Sequence, residues 1–278
     1  MFQVGRRRRP AGKGGHRPAA AAARRRCGRG LAGRSRLALA LGLEHQRLGC
    51  ARRTGGPQHE SVGGLPDGVF NVLNGDKESV DGLLNSPDVE SISFVGSTPI
   101  AQYIYENASR NGKRVQALGG AKNHMLVLPD ADIDLVADSA INAGFGSAGE
   151  RCMAISVVVA VEPVADDLIS KIASRMAQIK VGDGRRSCDM GPLVTKVHRD
   201  KVESYIEIAA QDGAEIVVDG RGVVADGAPN GFWLGPTLID KVPVSSKVYQ
   251  EEIFGPVLSV VRVQSNQEGL HKGAVRGT

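Results

Sequence analysis

Residues 91–118, SISFVGSTPIAQYIYENASRNGKRVQAL, contain the pattern that decides the fold. The β-rich run from Ser91 to Val95 is followed by an amphipathic helical pattern over Pro99 to Arg110, and a second β-rich run follows at Val115 to Leu118. A helix between two short strands predicts a βαβ unit, in which the two strands are parallel. The stretch therefore indicates an α/β fold built around a parallel sheet.

The same alternation of strand and helix patterns continues on both sides, over residues 65–264. Ser156 to Val161 is a largely β-branched run, which is typical of a strand buried on both faces. Further strands are predicted at Val69 to Leu73, Met125 to Leu128, Ile216 to Asp219 and Leu258 to Val263. Further helices are predicted at Lys77 to Leu84, Asp132 to Ala143, Asp166 to Ile179 and Arg199 to Ala210. The periodicity ends after Gln264, so residues 265–278 are predicted to form an irregular tail.

The net charge of +5 is unevenly distributed along the chain. Residues 1–64 hold 15 basic and two acidic side chains, a net charge of +13, so the rest of the chain carries −8. The basic character therefore belongs to one terminal segment and does not indicate that the whole protein binds nucleic acid. This segment has little apolar surface to offset its chain entropy, so it is expected to be a disordered basic arm.

Two interpretations of the arm stay open. It is either functional, as a polybasic segment for nucleic acid or an anionic membrane or as a transit peptide, or it is translated from a shifted reading frame of a high-GC gene. The second interpretation is favoured, because typical fold-forming sequence begins abruptly at Gly64. A cytoplasmic location is expected in the absence of a convincing secretory signal, with a mitochondrial location as the alternative.

Two further classes of protein are excluded by composition. The longest plausible apolar stretch, Leu37 to Leu43, is far shorter than the roughly 20 residues that a membrane-spanning helix needs. The four cysteines show neither CxxC pairing nor density, which argues against a disulfide scaffold or a structural zinc site, and no metal is expected. These cysteines are Cys27, Cys50, Cys152 and Cys188.

The first candidate site is the turn Phe94 to Pro99, which joins a predicted strand to a predicted helix. Ser97 or Thr98 suits the N-cap of that helix, and Gly96 lets the backbone approach a ligand closely. The free N–H groups at the helix start could bind a nucleotide phosphate. A Gly-Ser turn of this kind is also a common connection with no ligand, so both interpretations remain.

The second candidate is Cys152, which lies in a loop of small residues between an apolar helix and a buried strand. Nearby helix-end amides and the guanidinium of Arg151 would lower the pKa of its thiol and make it a nucleophile. The alternative is that Cys152 is a small buried apolar residue. The third candidate is the segment Glu251 to Pro256, whose acids and aromatic residue could bind hydroxyl groups and stack on a ring, or could form a simple solvated turn.

These segments together resemble the aldehyde dehydrogenase superfamily in order and in approximate separation. The segments are Phe94 to Thr98, Leu118-Gly119-Gly120, Gly149 to Ala154 and Glu251 to Pro256. Ala121 to His124 and Gly149 to Ala154 are more specifically similar to the CoA-acylating methylmalonate-semialdehyde dehydrogenases. The resemblance covers residues 65 to about 264 and implies an incomplete fold of this family. It places a partial Rossmann-like NAD domain at 65–121 and a partial α/β catalytic domain at 122–264.

The resemblance also implies roles for individual residues. Cys152 would be the nucleophile that forms a thiohemiacetal and then a thioester, with NAD as the hydride acceptor. Gly96 and Ser97 would face the cofactor pyrophosphate, Glu252 would hold the nicotinamide ribose, and Phe254 would lie against the nicotinamide. Arg151 is proposed to bind the substrate from its position next to the nucleophile. The family forms homo-oligomers, and its substrates are small molecules.

One departure from the family pattern bears on the acyl acceptor. Hydrolytic members have Glu immediately before Leu-Gly-Gly, whereas this chain has Ala117. A positioned base is typically worth about 10²–10⁴-fold, so attack by water should be slow and coenzyme A becomes the expected acceptor. The expected reaction is the NAD-dependent oxidation of methylmalonate or malonate semialdehyde to an acyl-CoA, and a general hydrolytic aldehyde dehydrogenase is the alternative.

Other departures lead to the expectation that this chain is a weak catalyst. The family has an Asn-bearing and a Lys-bearing segment upstream, and neither occurs in residues 1–64. The loss of one oxyanion donor typically costs about 10²–10³ in turnover. A third hypothesis is therefore a fragment without catalytic activity whose basic arm binds nucleic acid.

Overall fold

The structure is a computed structural model that describes residues 39–40, 71–225 and 227–274. The predicted disordered arm at 1–64 lies outside the described residues except for β1, Leu39–Ala40, which pairs in parallel with β2, Asn71–Val72. The chain divides into two compact units between Gly120 and Ala121, one residue before the predicted boundary.

The first unit contains the predicted βαβ arrangement. Its further elements are α1 Lys77–Asn85, β3 Ser91–Val95, α2 Thr98–Arg110 and β4 Arg114–Leu118. β3 and β4 pair in parallel, and their register runs from Ser91 opposite Arg114 to Val95 opposite Leu118. Alternate β3 residues, Ile92 and Phe94, point to the same face of the strand. On that face they pack against the apolar side of α2.

The second unit is built on a mostly parallel sheet. Its strands are β5 Asn123–Val127, β6 Ile155–Val161, β7 Glu215–Val218, β8 Thr237–Asp240 and β9 Val257–Val263. Its helices are α3 Ile133–Phe145, α4 Ala165–Met176, α5 Lys196–Gln211, α6 Lys247–Gln250 and α7 Asn266–Ala274. Among the described residues the strand order is β5-β6-β9-β8-β7, and only β7 runs antiparallel to its neighbour.

Two apolar layers cover the faces of this sheet. Val157, Val159 and Val161 of β6 belong to the layer that includes α5, whereas Val158 and Ala160 belong to the layer that includes α3 and α4. All five side chains are buried. The prediction that this run is a strand buried on both faces is confirmed, and so is the α/β fold class.

The prediction of an irregular tail is wrong for the described residues 265–274. α7 begins after Ser265, whose Oγ accepts a hydrogen bond from the backbone N–H of Glu268 at 3.2 Å. The Glu268 carboxylate in turn accepts one from the N–H of Gln264 at 2.8 Å. This Ser-x-x-Glu pattern is typical of a helix N-terminus.

α7 lacks the regular spacing of apolar residues that predicts the other helices. It packs through Gly269, where an added Cβ would lie 2.6 Å from Leu126 Cδ1. Close backbone packing therefore replaces a stripe of large apolar side chains. Among the described helices, none has the length and hydropathy that a segment crossing a membrane requires.

Candidate active site

Cys152 lies in the loop between α3 and β6 of the second unit. Its thiol is free and exposed. The loop forms one side of an open cleft, and the segment between α6 and β9 forms the other. The residues that line the cleft include Asn123, Gly149, Arg151, Cys152, Glu252 and Phe254. The structure therefore brings four of the predicted site residues, Arg151, Cys152, Glu252 and Phe254, to one cleft.

A left-handed turn leads into the loop that carries Cys152. The backbone φ angles of Ser147, Ala148 and Gly149 are 53°, 54° and 72°. An added Cβ on Gly149 would lie 2.1 Å from the carbonyl oxygen of Gly255, so only glycine fits there. Left-handed backbone at residues other than glycine is unfavourable by about 1–3 kcal/mol each and often accompanies functional sites.

The side chain of Asn123 holds the same loop on its other side. Its Nδ2 donates to the backbone carbonyl oxygens of Cys152 and Ala154, each at 2.9 Å. Asn123 was noticed in the sequence only as part of the family resemblance. Cys152 and Ala154 follow Asn123 in the sequence by 29 and 31 positions, so no local pattern in the sequence indicates these hydrogen bonds.

Arg151 makes its hydrogen bond within the loop. Its Nε donates to Ser147 Oγ at 3.2 Å, and its guanidinium covers Gly146, where an added Cβ would lie 2.5 Å from Nη1. From the sequence, this guanidinium is predicted to activate the thiol. Among the described residues the guanidinium donates to Ser147, and Arg151 lines the cleft beside Cys152.

Glu150 carries a carboxyl group with an unusual environment. Its side chain is only 9% exposed, and burial raises its pKa from 4.5 to about 7, although a hydrogen bond from the backbone N–H of Val194 acts in the opposite direction. Glu150 Oε1 lies 3.5 Å from Nε2 of His198 on α5. Sequence reasoning missed both residues as parts of the site, because they are 48 positions apart.

The segment from Glu251 to Pro256 follows α6. Ile253 is buried in the core and anchors the segment, while Glu252 and Phe254 reach the cleft. Phe254 has a left-handed φ of 58°. Nε2 of His198 donates to its carbonyl oxygen at 2.7 Å, so the unusual backbone is held by a side chain from α5.

Gly96 and Ser97 lie in the first unit, after the carboxyl end of β3. The N–H of Gly96 donates to the carbonyl oxygen of Leu118 at 3.1 Å and continues the pairing with β4. Ser97 is the N-cap of α2, and among the described residues its side chain makes no capping hydrogen bond. The exposed Ser97 hydroxyl and the first amides of α2 are therefore available to an anion.

Two further observations concern the groups that the structure offers. Ala117 lies in β4 against the core of the first unit, and its methyl side chain supplies no base. Within the described ranges, no group of three or more His, Cys, Asp or Glu side chains is placed to hold a metal ion.

Comparison with known proteins identifies the relatives of this chain. The profile of the aldehyde dehydrogenase family matches residues 59–273, which extends the resemblance past residue 264 and includes most of α7. A malonate-semialdehyde dehydrogenase of Pseudomonas aeruginosa is 56% identical over 215 residues, which cover 76% of this chain and 43% of the relative.

Solved structures agree with this comparison. The crystal structure of the methylmalonate-semialdehyde dehydrogenase of Oceanimonas doudoroffii is 55% identical, with a TM-score of 0.75 over 77% of this chain. A Sinorhizobium meliloti protein described as a methylmalonate-semialdehyde dehydrogenase, solved in complex with NAD, is 48% identical with a TM-score of 0.75. This chain covers 44% of each of these two structures.

Proposed function

The chain belongs to the aldehyde dehydrogenase family, and on that premise we propose that it oxidises malonate or methylmalonate semialdehyde with NAD and transfers the acyl group to coenzyme A. The observation that carries the proposal is the exposed thiol of Cys152 in a cleft opposite Glu252 and Phe254. The named activities of the relatives support the choice of substrate class.

Cys152 acts as the nucleophile. Its thiolate attacks the aldehyde carbon and forms a carbon–sulfur bond, and loss of hydride from that carbon leaves a thioester on the sulfur. The left-handed turn and the two hydrogen bonds from Asn123 hold the loop on either side of the thiol. A fixed nucleophile contributes to rate because less orientational freedom is lost in the transition state.

Each unit, taken separately, has residues that fit a part of NAD. In the first unit the start of α2 at Ser97, where the described residues supply no side-chain cap, matches a pyrophosphate, because helix N-termini bind anions. In the second unit the Glu252 carboxylate can accept hydrogen bonds from ribose hydroxyls, and the Phe254 ring offers a face to an aromatic ring. When bound, NAD supplies the acceptor for the hydride.

Coenzyme A is the acyl acceptor in this proposal. Its thiolate attacks the thioester carbon, the new carbon–sulfur bond forms, and Cys152 leaves as a thiolate, so the enzyme is regenerated without a redox change. Ala117 supports this choice, because the position before Leu118-Gly119-Gly120 has no carboxylate to activate water. A hydrolytic aldehyde dehydrogenase is disfavoured for the same reason.

Arg151 is the proposed partner of the substrate carboxylate. It lines the cleft beside Cys152, and its Nε is occupied by Ser147 while the terminal N–H groups can form a charge-assisted pair. Both proposed substrates carry a carboxylate in addition to the aldehyde. A cation next to the nucleophile would therefore orient the aldehyde carbon toward the thiol.

The test is NADH formation by the full chain with malonate or methylmalonate semialdehyde, with and without coenzyme A. Turnover that requires coenzyme A and is lost in Cys152→Ser supports the proposal, and Cys188→Ser is the matched thiol control. Turnover that is indifferent to coenzyme A would reject acylation. Turnover that survives Cys152→Ser would reject the nucleophile.

A further inference from the structure

One face of α5 supports the segment from Glu251 to Pro256. His198, Val202 and Tyr205 are spaced at i, i+4 and i+7, so they lie on the same side of the helix. The Tyr205 hydroxyl donates to a Glu251 carboxylate oxygen at 2.6 Å. Val202 packs tightly against Gly255, because a Cβ added to Gly255 would lie 2.7 Å from Val202 Cγ1.

His198 makes two different contacts with Phe254. Its Nε2 donates to the Phe254 carbonyl oxygen at 2.7 Å, and the two rings meet edge to face with centroids 6.2 Å apart. Phe254 has a φ of 58°, which a bulky residue adopts only when its surroundings impose it. The backbone and the ring of Phe254 are thus both fixed from α5.

The same nitrogen faces the nucleophile loop. Glu150, two residues before Cys152, places Oε1 3.5 Å from His198 Nε2. This oxygen is buried and, among the described residues, accepts no hydrogen bond. The side chains of His198 and Glu150 are 16% and 9% exposed, so water has little access to the contact.

We propose that His198 is a positioning residue that, through Nε2, holds the segment of Phe254 and the loop of Cys152 in a fixed relation. The hydrogen bond to Phe254 sets the orientation of that backbone, and the contact with Glu150 joins it to the loop that carries the thiol. The consequence for NAD rests on the proposed function, in which Phe254 lies against the nicotinamide. The link between the two segments does not depend on it.

The link also responds to pH. Burial raises the pKa of Glu150 to about 7, so its carboxyl changes charge near neutrality. Among the described residues, the groups that face it are His198 from α5 and the backbone N–H of Val194 ahead of α5. Above that pH a carboxylate lies beside His198 Nε2, and below it a neutral carboxyl does.

Two isosteric variants isolate the role of Nε2. In His198→Gln the side-chain amide nitrogen takes the place of Nε2, whereas in His198→Asn it takes the place of Nδ1 and does not reach Phe254. Both variants are neutral and polar, so burial affects them similarly. His271→Gln, at an exposed histidine of α7, is the control for a change of histidine elsewhere.

The experiment measures NAD affinity by calorimetry and the hydrogen-exchange protection of residues 251–257, with each rate divided by its intrinsic rate at the same pH, on the full chain at pH 6 and pH 8. His198→Asn should weaken NAD binding and speed exchange by about tenfold, the effect of about 1.4 kcal/mol expected for one lost hydrogen bond. His198→Gln should bring NAD affinity and exchange to within about threefold of the wild type. It should also retain the pH dependence of the exchange protection at 251–257 that Glu150 confers. Glu150→Gln should reduce that dependence.

The outcomes separate the two proposals. Equal exchange in wild type and His198→Asn, or equal defects in the Asn and Gln variants, would overturn the positioning role. If the wild-type chain binds no NAD, the proposed function fails, while the exchange comparison still decides whether Nε2 holds the segment of Phe254. If His198→Asn does not fold, a protection factor at 251–257 that changes with pH in the wild type and stays constant in Glu150→Gln still supports the link, and a wild-type protection factor that does not change with pH rejects it.

Discussion

The side-chain nitrogen of Asn123 lies 2.9 Å from the backbone carbonyl oxygen of Cys152. A second hydrogen bond of the same length runs from this nitrogen to the carbonyl oxygen of Ala154. One amide group at the start of β5 therefore fixes the loop on which the thiol is displayed. We call these two hydrogen bonds the Asn123 clamp; the clamp and the left-handed turn flank the exposed Cys152.

Asn123→Asp replaces the donor with an acceptor that faces two carbonyl oxygens. Loss of two hydrogen bonds of about 1 kcal/mol each should lower the fraction of correctly placed thiol. We therefore expect the rate of Cys152 alkylation by iodoacetamide to fall by about tenfold or more. Peptide mapping by mass spectrometry measures the rate at Cys152 separately from the other thiols. Asn142→Asp, at an exposed position of α3, should leave the rate unchanged. Equal rates in wild type and Asn123→Asp would show that the clamp is not needed.

Gly149→Ala tests the close approach of the two loops at the cleft. The added Cβ would lie 2.1 Å from Gly255 O at a φ of 72°. Gly213→Ala is the matched control, because its φ is 83° and no described atom lies within 4 Å of the added Cβ. Positive φ alone should cost about 1–2 kcal/mol in both variants, and the clash should cost about 1–3 kcal/mol more in Gly149→Ala. Urea unfolding measures the free energy of unfolding of both variants. Equal losses of stability in the two variants would mean that the loops at the cleft can move apart without cost.

Glu150→Gln tests the buried carboxyl through the pH dependence of stability. The folded-state pKa is raised to about 7 from 4.5, so between these values the unfolded chain binds fewer protons than the folded one. The free energy of unfolding of the wild type should therefore fall as pH rises from 4.5 through 7, by up to about 3 kcal/mol. Glu150→Gln should lack this fall, whereas the exposed Glu207→Gln should keep it. A wild-type stability that rises over this range would contradict the assignment.

Ala117→Glu tests the preference for coenzyme A. By the family resemblance, a carboxylate before Leu118-Gly119-Gly120 activates water in hydrolytic members, so turnover without coenzyme A should rise by at least about tenfold, the low end of the effect of a positioned base. Gln116→Glu adds the same charge at the neighbouring position, on the opposite face of β4, and should have no such effect. Steady-state NADH formation without coenzyme A measures the difference. If turnover without coenzyme A does not rise in Ala117→Glu, or rises equally in both variants, Ala117 is not the reason for the preference for coenzyme A over water.

Local patterns predicted much of the fold. The run from Ser91 to Leu118 predicted the parallel pair β3 and β4, and the β-branched run from Ser156 to Val161 predicted the central strand β6. β8, Thr237–Asp240, was missed because its four residues are all buried and show no alternation. α7 was missed because it packs through Gly269, although Ser265 and Glu268 gave a usable signal.

The candidate site was predictable only in part. Cys152, Glu252 and Phe254 lie in short motifs, so the family resemblance predicts them as candidates, and the structure brings them to one cleft. The roles of Asn123, Glu150 and His198 depend on contacts between residues far apart in the chain, and such contacts leave no spacing pattern. The left-handed φ of Phe254 was equally hidden, because the sequence there shows an ordinary bulky residue ahead of Gly255.

In the proposed reaction Cys152 forms a thioester that coenzyme A releases. The most direct measurement is mass spectrometry of the full chain after incubation with malonate semialdehyde and NAD, before and after coenzyme A is added. We predict an acyl adduct that maps to Cys152, persists in water, and is released as an acyl-CoA when coenzyme A is added. An absent adduct, an adduct that forms equally on Cys152→Ser, or equal release without coenzyme A would contradict the claim.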